Sequence, residues 1–275
     1  MPIITLTSDI GLQDYLAGAI KGLLLQHCAD AQVVDISHHI SPFNLPQATY
    51  ICRSAFKYFP EGTFHLVLNN LFDRKADYLL MARHNNQFIC CADNGIVTMI
   101  AGEKPAEVVR LPLIPGESKH TLNMVKVMAL AIAQMMKGVS MEQVGPAAAT
   151  LVEKNNLQPL TGEDYIEGQI IHIDNFENVV VNITREQFIA QQQGRKFAIF
   201  FRRDEMITQI SETYADVAEG QKLALFNAAG YLEIAVNKGN AAGLFGLQGF
   251  RRDQLQQGVY QQLSFYQTVK IIFEQ

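Results

Sequence analysis

The stretch Pro2–Lys21, PIITLTSDIGLQDYLAGAIK, is the part of the chain from which the fold is read. Ile3, Ile4 and Leu6 form a short apolar run without helical spacing, which predicts a buried strand. Ser8-Asp9-Ile10-Gly11 breaks it. From Asp14 the pattern turns helical, with Leu16, Ala19, Ile20, Leu23 and Leu24 on one face. A carboxylate just past the C-terminal end of the first strand of an α/β sheet sits where such folds place ligands. Each oxygen of ionised Asp9 is an acceptor, so the group can take two hydrogen bonds from a vicinal diol. The plainer alternative is that Ser8 and Asp9 make a turn and cap the helix.

Outward from this unit, the first 150 residues alternate strand and helix signals. Gln32–Ile36 predicts a second buried strand, followed by the polar segment Ser37-His38-His39-Ile40-Ser41-Pro42-Phe43. Gln47–Phe59 has helical spacing and stops at Pro60-Glu61-Gly62. Thr63–Leu68 predicts a third strand ending in Asn69-Asn70. Tyr78–Arg83 and Gln87–Cys91 read as a hairpin around His84-Asn85-Asn86. Asp93-Asn94-Gly95 is a turn before the helical Ile96–Ala101, and Thr121–Lys137 is the longest helical segment, closed by Gly138. The alternation predicts an α/β domain with a mainly parallel sheet over residues 1–150.

Pro146–Gly162 reads as a linker. Beyond it come short alternating runs at Glu167–Ile173, Val179–Ile183, Lys196–Phe201, Lys222–Phe226, Leu232–Val236 and Thr268–Phe273. They predict a smaller all-β, barrel-like C-terminal domain over residues 163–275. The polar segment Gly249–Gln262 reads as a loop before the last strand.

The 275 residues are 48% hydrophobic and 18% charged, enough apolar content to bury a core and not the balance of a disordered chain. A net charge of −5 argues against a nucleic-acid footprint. No run reaches the length of a membrane span and no basic, apolar leader opens the chain. Cys28, Cys52, Cys90 and Cys91 lack metal-site spacing and read as buried free thiols of a cytoplasmic protein.

His38 and His39 near Asp9 and Asp35 raise a metal site, but adjacent imidazoles point apart and rarely share one ion, so no metal is expected. The single glycine of Asp9-Ile10-Gly11 is too few for a phosphate or dinucleotide loop. Phe43 after Pro42 is either a core plug or a flat surface for an aromatic ligand. Asp174-Asn175-Phe176-Glu177-Asn178 offers a carboxylate, two amides and a ring, enough to hold a purine, and equally suits a hairpin turn. Glu233 interrupts an apolar strand after the Ala228-Ala229-Gly230 turn. Facing inward it requires a donor partner; facing outward it is solvated surface.

Six segments in order resemble one family: TSDIGLQDYLAGAIKG, VVDISHHISPF, YFPEGTFHLVL, ADNGIV, HIDNFENVVVNI and ALFNAAGYLEIAVNKGNAA. They are similar to the S-adenosylmethionine (SAM) hydroxide adenosyltransferases, relatives of the fluorinase and chlorinase, over nearly the whole length. The resemblance implies an α/β domain followed by a β-barrel domain, assembled as a homotrimer. It also implies a ligand lying between the first domain of one subunit and the second domain of its neighbour. It implies that Asp9 holds the ribose hydroxyls and Phe43 lines the pocket. Asp174 and Asn178 would contact the methionine part with Phe176 shaping that wall, and Asn227 and Glu233 would lie near the adenine. No cofactor is implied beyond SAM itself as substrate or ligand. Asp14 also matches, or only caps the helix.

The departures fall on the reacting groups. Where the hydroxide-transferring members carry Val-Val-Asp-Pro-Gly-Val-Gly and then arginine, this chain reads Leu68-Asn69-Asn70-Leu71-Phe72-Asp73-Arg74-Lys75. The aspartate falls on Asn70, with Arg74 or Lys75 as substitutes for the arginine after a local shift. The family histidine before the long helix falls on Asn123, with His120 three residues earlier. Glu177 replaces a usual glycine, and Ala228-Ala229 a more polar pair. Asn can orient a water and cannot take its proton, and losing an acid/base group costs on the order of 10² to 10⁴ in rate. Two readings follow. One is a hydrolase releasing adenosine and methionine from a rebuilt site in which Asn70, Asp73 and Asn123 are the catalytic candidates. The other is a catalytically silent SAM- or adenosine-binding homotrimer. Asp73 discriminates them, according to whether it points into the pocket beside Arg74 or into solvent. A halide-transferring enzyme would need a halide pocket that no segment specifies.

Overall fold

The computed structural model describes residues 1–75, 77–202, 205–247 and 267–274, in two compact units, Met1–Asn156 and Leu157–Gln275. The Gly249–Gln262 segment lies outside the described residues.

The first unit runs β1 (Ile3–Ser8), α1 (Leu16–His27), β2 (Gln32–Ser37), α2 (Leu45–Phe56), β3 (Phe64–Leu68), β4 (Tyr78–His84), β5 (Gln87–Cys91), α3 (Ile96–Ala101), β6 (Glu107–Pro112), α4 (Thr121–Met136) and α5 (Met141–Val144). Among the described residues these strands form one six-stranded sheet, ordered β2-β1-β3-β5-β4-β6. Alternation along the strands sends side chains to two faces. Ile4, Leu6, Leu66, Leu68, Met81 and Cys90 pack with Ile20 and Leu24 of α1 and Val125, Met128 and Ile132 of α4. Val67, Leu80, Ala82 and Cys91 pack with Ala48, Cys52 and Phe56 of α2 and with α3. The result is a sheet between two helical layers.

A mainly parallel sheet was the expectation, and the sheet is mixed. β1 pairs in parallel with β2 and β3, and β3 with β5. β4 is antiparallel to both β5 and β6. The cause is local: Asn85 and Asn86 both hold positive φ, 50° and 58°, the conformation of a two-residue hairpin whose twist matches its strands. β6 is an element the apolar spacing did not announce.

Helix ends follow ordinary capping chemistry. The Asn44 side chain accepts from Gln47 N–H (3.0 Å) at the start of α2, and Asp14 accepts from Leu16 N–H (2.8 Å) before α1, its capping alternative. Gly138, at φ 87° just past α4, occupies the left-handed position that glycine takes most easily. Cys28, Cys52, Cys90 and Cys91 are free and buried, and burial pushes their thiols up. No described helix is long and apolar enough to cross a membrane.

His65 on β3 is fully buried, stacked on Phe56 with 3.6 Å between ring centroids and 2.7 Å from Thr5 Oγ1. Burial depresses its pKa to about 4, so the folded state holds it neutral. The corresponding stability is present above pH 6.5 and lost as pH falls toward 4, a difference worth about 3 kcal/mol. We expect His65→Leu to flatten the decline of the first unit's unfolding midpoint between pH 7 and pH 4.5, read by denaturant titration at each pH. An unchanged decline would place the acid sensitivity elsewhere.

The second unit comprises β7 (Leu160–Thr161), β8 (Tyr165–Ile173), β9 (Val179–Thr184), α6 (Arg185–Gln192), β10 (Phe197–Arg202), β11 (Glu205–Ile207), β12 (Lys222–Phe226), β13 (Tyr231–Val236), α7 (Ala241–Leu244) and β14 (Thr268–Phe273). Among the described residues the strands form an eight-stranded sheet along β11-β10-β14-β8-β9-β13-β12, with β7 added beside β8. Every ladder is antiparallel. Register shifts between Ile170 and His172 and between Tyr231 and Glu233 bend the strands. An Ile210–Ala224 bridge brings the segment after β11 against β12, so the sheet curls nearly into a barrel. Alternation did not reveal α6: it buries only Phe188 and starts from a Thr184/Gln187 capping box, a signal of four residues.

Candidate functional site

The strand order 2-1-3 sends successive connections to opposite sides of β1, which opens a crevice at the C-terminal ends of β1 and β3. Asp9 directly follows β1 there. Its Oδ2 accepts from Asn69 Nδ2 (3.0 Å), Asn70 N–H (3.0 Å) and Phe43 N–H (3.2 Å). Its Oδ1 carries no hydrogen bond among the described residues. Three donors on one oxygen fix the carboxylate and leave the other oxygen for a ligand. The capping alternative belongs to Asp14, not to Asp9.

Phe43 is not a core plug: the residue is 64% exposed. Its φ of 64° and Asn70's of 48° lie in the left-handed region, which a phenylalanine occupies only when its surroundings hold it. Asp9 does so at both residues.

Asn70 Nδ2 donates to Asp73 Oδ1 (2.8 Å). Asp73 in turn lines a cleft of about 290 Å³ together with Leu71, Phe72, Arg74, Lys75, Tyr78, Asp93, Asn94, Lys119 and Met124. Asp73 and Arg74 both line this cleft and both are exposed to solvent, so the structure does not choose between the two alternatives for Asp73. Arg74, however, pairs with Asp93: its Nη2 is 2.7 Å from Oδ2, and the Asp93 side chain is 1% exposed. The Tyr78 hydroxyl donates to Asp93 Oδ2 (2.8 Å) and Val152 N–H to Oδ1 (2.7 Å). That hydrogen bond raises the Tyr78 pKa, with burial adding to it. Arg110 stacks on the other side of Tyr78, 4.4 Å from the ring centroid. Buried Asn94 ties this floor to the switch point, donating to Asn69 O (3.0 Å) and Asn70 O (3.1 Å). The sequence marks Asp93 and Asn94 as a turn. The signal that could raise Asp93 is an acidic residue two positions past an apolar strand, close to the placement of Asp9.

Asn123 is held elsewhere. His120 caps α4 by accepting from Asn123 N–H (3.3 Å), and Asn123 Nδ2 donates to Ser118 O (2.8 Å). Asn123 is not among the residues lining the cleft, although Lys119 and Met124 on either side of it are. The structure therefore joins Asp9, Phe43, Asn70 and Asp73 and leaves Asn123 in the helix cap.

In the second unit, Asp174 organises its own loop. Oδ1 accepts from Phe176 N–H and Asn178 N–H (both 2.8 Å), and Oδ2 from Asn178 Nδ2 (3.0 Å). Asn178 is buried, and the Phe176 ring is left 74% exposed. Glu177 sits at φ 65°, a conformation in which glycine is least strained. The segment is a tight turn, as one of its two readings has it, and it leaves Phe176 exposed. Glu233, on β13, faces inward at 3% exposure, and its donors are the Tyr214 hydroxyl (2.6 Å) and Asn227 Nδ2 (3.3 Å). Burial pushes its pKa up, opposed by the Tyr214 and Asn227 hydrogen bonds, with the Asp174 charge adding to the rise. Asn227 also accepts from Ala229 N–H (3.0 Å) and Tyr231 N–H (3.2 Å), shaping the turn. Tyr214, set in a short 3-10 turn (Tyr214–Asp216), had no sequence signal. Among the described residues no group of three His, Cys, Asp or Glu could hold a metal.

Comparison with known proteins agrees in both halves. Residues 4–145 match the N-terminal domain model of the SAM hydroxide adenosyltransferases, and residues 168–252 the C-terminal one. A (R)-S-adenosyl-L-methionine hydrolase of Thermus thermophilus is 27% identical over 256 residues, 88% of this chain and 94% of the relative. A fluorinase of Nocardia brasiliensis is 26% identical, covering 90% of this chain and 94% of its own. A solved structure of an uncharacterised conserved protein from Thermotoga maritima superposes with a TM-score of 0.81 at 22% identity, over 98% of this chain and 99% of that one, and shares the fold. On these matches, with both domains in order over most of its length, the chain belongs to the SAM hydroxide adenosyltransferase family.

Proposed function

We propose that this protein hydrolyses SAM to adenosine and methionine, by in-line attack of water or hydroxide at the ribose C5′. The observation that carries the reading is Asp9: a carboxylate clamped through Oδ2 at the β1–β3 switch point, with Oδ1 open. Such a group accepts the two hydroxyls of a ribose. The printed names of relatives such as the Thermus thermophilus SAM hydrolase supply the substrate class.

In the proposed step the water oxygen bonds to C5′ as the C5′–S bond breaks. Its electron pair passes to sulfur, which leaves as the neutral thioether of methionine, and the water proton is released. Sulfonium needs no acid to depart, so acceleration comes from positioning and from removing bulk solvent around the nucleophile. Asn70 has no basic group, and it steadies Asp73 at the cleft, the residue we assign to take the proton. Asp174, Phe176 and Asn178 are assigned to the methionine part and Asn227 and Glu233 to the adenine, in a homotrimer that uses no cofactor.

The test is calorimetric titration with SAM and with adenosine, followed by chromatography of the SAM mixture over hours. We expect both to bind and adenosine and methionine to appear in equal amounts. Binding of both without products would favour the silent binder, and binding of neither would overturn the Asp9 and Asp174 assignments. Light scattering of the same sample is expected to give three times the chain mass.

A further inference from the structure

His38 lies outside the groups assigned so far, and it is almost completely enclosed, its side chain 1% exposed. Its Nδ1 is 2.7 Å from Oγ of fully buried Ser8, the last residue of β1 and the neighbour of Asp9. Its Nε2 lies 3.2 Å from Asp35 Oδ1 on β2, in ion-pair range but without the alignment of a hydrogen bond. Asp35 Oδ2 in turn takes Lys21 Nζ of α1 at 2.5 Å. The order Lys21–Asp35–His38–Ser8 therefore runs from the first helix to the residue before the ligand carboxylate.

The backbone explains why such a chain is needed. The β1–β2 register shifts between Leu6 and Thr7 and that ladder ends at Thr7 and Ser37, so Ser8 pairs with Leu68 of β3 but with no residue of β2. Beyond it the two loops are tied by two backbone N–H groups. Gly11 N–H donates to His38 O (2.9 Å), and Phe43 N–H donates to Asp9 Oδ2 (3.2 Å). Phe43 is held in the left-handed region by that bond. Movement of the His38 ring would carry with it the carbonyl that Gly11 N–H uses and the start of the segment that leads to Phe43.

We propose that His38 is a positioning residue, its ring stitching Ser8 to Asp35 so that the Asp9 carboxylate and the Phe43 ring are held in register for the ligand. Ser8 and His38 do not touch the ligand. Their Ser-His-Asp order resembles a nucleophilic triad, yet the Ser8 hydroxyl is fully buried and closed to substrate. The inference rests on the adenosyl reading for its ligand and on the two loop amides for its structural content.

Ser8→Ala removes one end of the stitch and His38→Leu removes both. In His38→Asn the side-chain amide can still reach Ser8. With adenosine as probe, we expect Ser8→Ala and His38→Leu to raise the dissociation constant on the order of 10- to 100-fold, the usual consequence of displacing a ligand group by a fraction of an ångström to an ångström. His38→Asn, which keeps the Ser8 end and gives up the Asp35 end, is expected to fall between the parent and His38→Leu. In SAM turnover the change should fall on KM more than on kcat. Amide hydrogen exchange of the ligand-free proteins gives the separate readout. Peptides containing Gly11 and Phe43 should exchange faster in Ser8→Ala and His38→Leu, with β3 and β5 unchanged. Parent protein that binds no adenosine would refute the adenosyl reading while the exchange result still decides the stitch. Unchanged exchange at Gly11 and Phe43 in Ser8→Ala would overturn the inference, whatever the protein binds.

Discussion

Asp9→Asn is expected to fold with an unfolding midpoint near that of the parent and to bind adenosine and SAM on the order of 100-fold more weakly. The two halves of this result follow from the two oxygens of the group. The amide oxygen of the substitute can take over from Oδ2, which receives Asn69 Nδ2, Asn70 N–H and Phe43 N–H. The amide NH₂ then stands where Oδ1 was, a donor in place of an acceptor, and the negative charge is gone. Hydrogen bonds to a charged group are worth about 1.5–3 kcal/mol each, so losing acceptance of a diol costs about two decades in affinity. Asp9→Ala is expected to bind as weakly and also to melt earlier, because three donors lose their acceptor. Calorimetry and thermal unfolding on both variants separate the effects. Equal affinity of Asp9→Asn and parent would remove the ribose from Asp9.

Asp93→Ala is expected to carry the largest stability loss in the first unit. The carboxylate is 1% exposed and satisfies the Tyr78 hydroxyl, Val152 N–H and the Arg74 guanidinium. Truncation leaves the hydroxyl and the amide facing a cavity. Removing one partner from a buried, hydrogen-bonded ion pair costs about 3–5 kcal/mol. Arg74 is 43% exposed and can turn to water, which places the expected loss at the lower end, about 3 kcal/mol. For a unit of this size the unfolding midpoint then falls on the order of 10 °C. Asp93→Asn keeps the shape and one acceptor and should lose roughly half of that. Calorimetric unfolding tests the pair, and a midpoint within 2 °C of the parent for Asp93→Ala, about what 1 kcal/mol produces, would contradict the geometry described above. Arg74 released from Asp93 is also free to move in the cleft, so turnover should fall with stability.

Much of this molecule was legible in local pattern. The β1–α1 unit, the Asn85-Asn86 hairpin, Gly138 after α4 and all six strand runs predicted for the second unit, to within two residues at each end, follow from apolar spacing and turn chemistry acting over a few residues. Lys222–Phe226 and Thr268–Phe273 were located to the residue. Pairing direction was less visible. β4 differs from a parallel strand only in what precedes and follows it, and β6 has no helix-like or strand-like period strong enough to announce it. α6 escaped because its one buried residue gives no periodicity.

The candidate site divides in the same way. Sequence placed Asp9 at the end of a strand and left a turn and a ligand carboxylate both open, and the structure shows its Oδ2 taken by three donors. Whether Asn70, Asp73 and Asn123 act together could not be read from spacing, because the loops that carry them are positioned by groups from distant segments. Asn94 holds Asn69 and Asn70 from 25 and 24 residues away, and the Ser118 carbonyl draws Asn123 into the helix cap. Glu233 alternated equally well inward or outward until Tyr214, 19 residues earlier, supplied its donor. Local propensity and hydrophobic period thus determined most of the elements and the place of Asp9 directly after the first strand. Hydrogen-bond partners far apart in sequence decided which loop groups meet, since a buried polar atom takes whichever donor or acceptor the packed chain brings within about 3 Å.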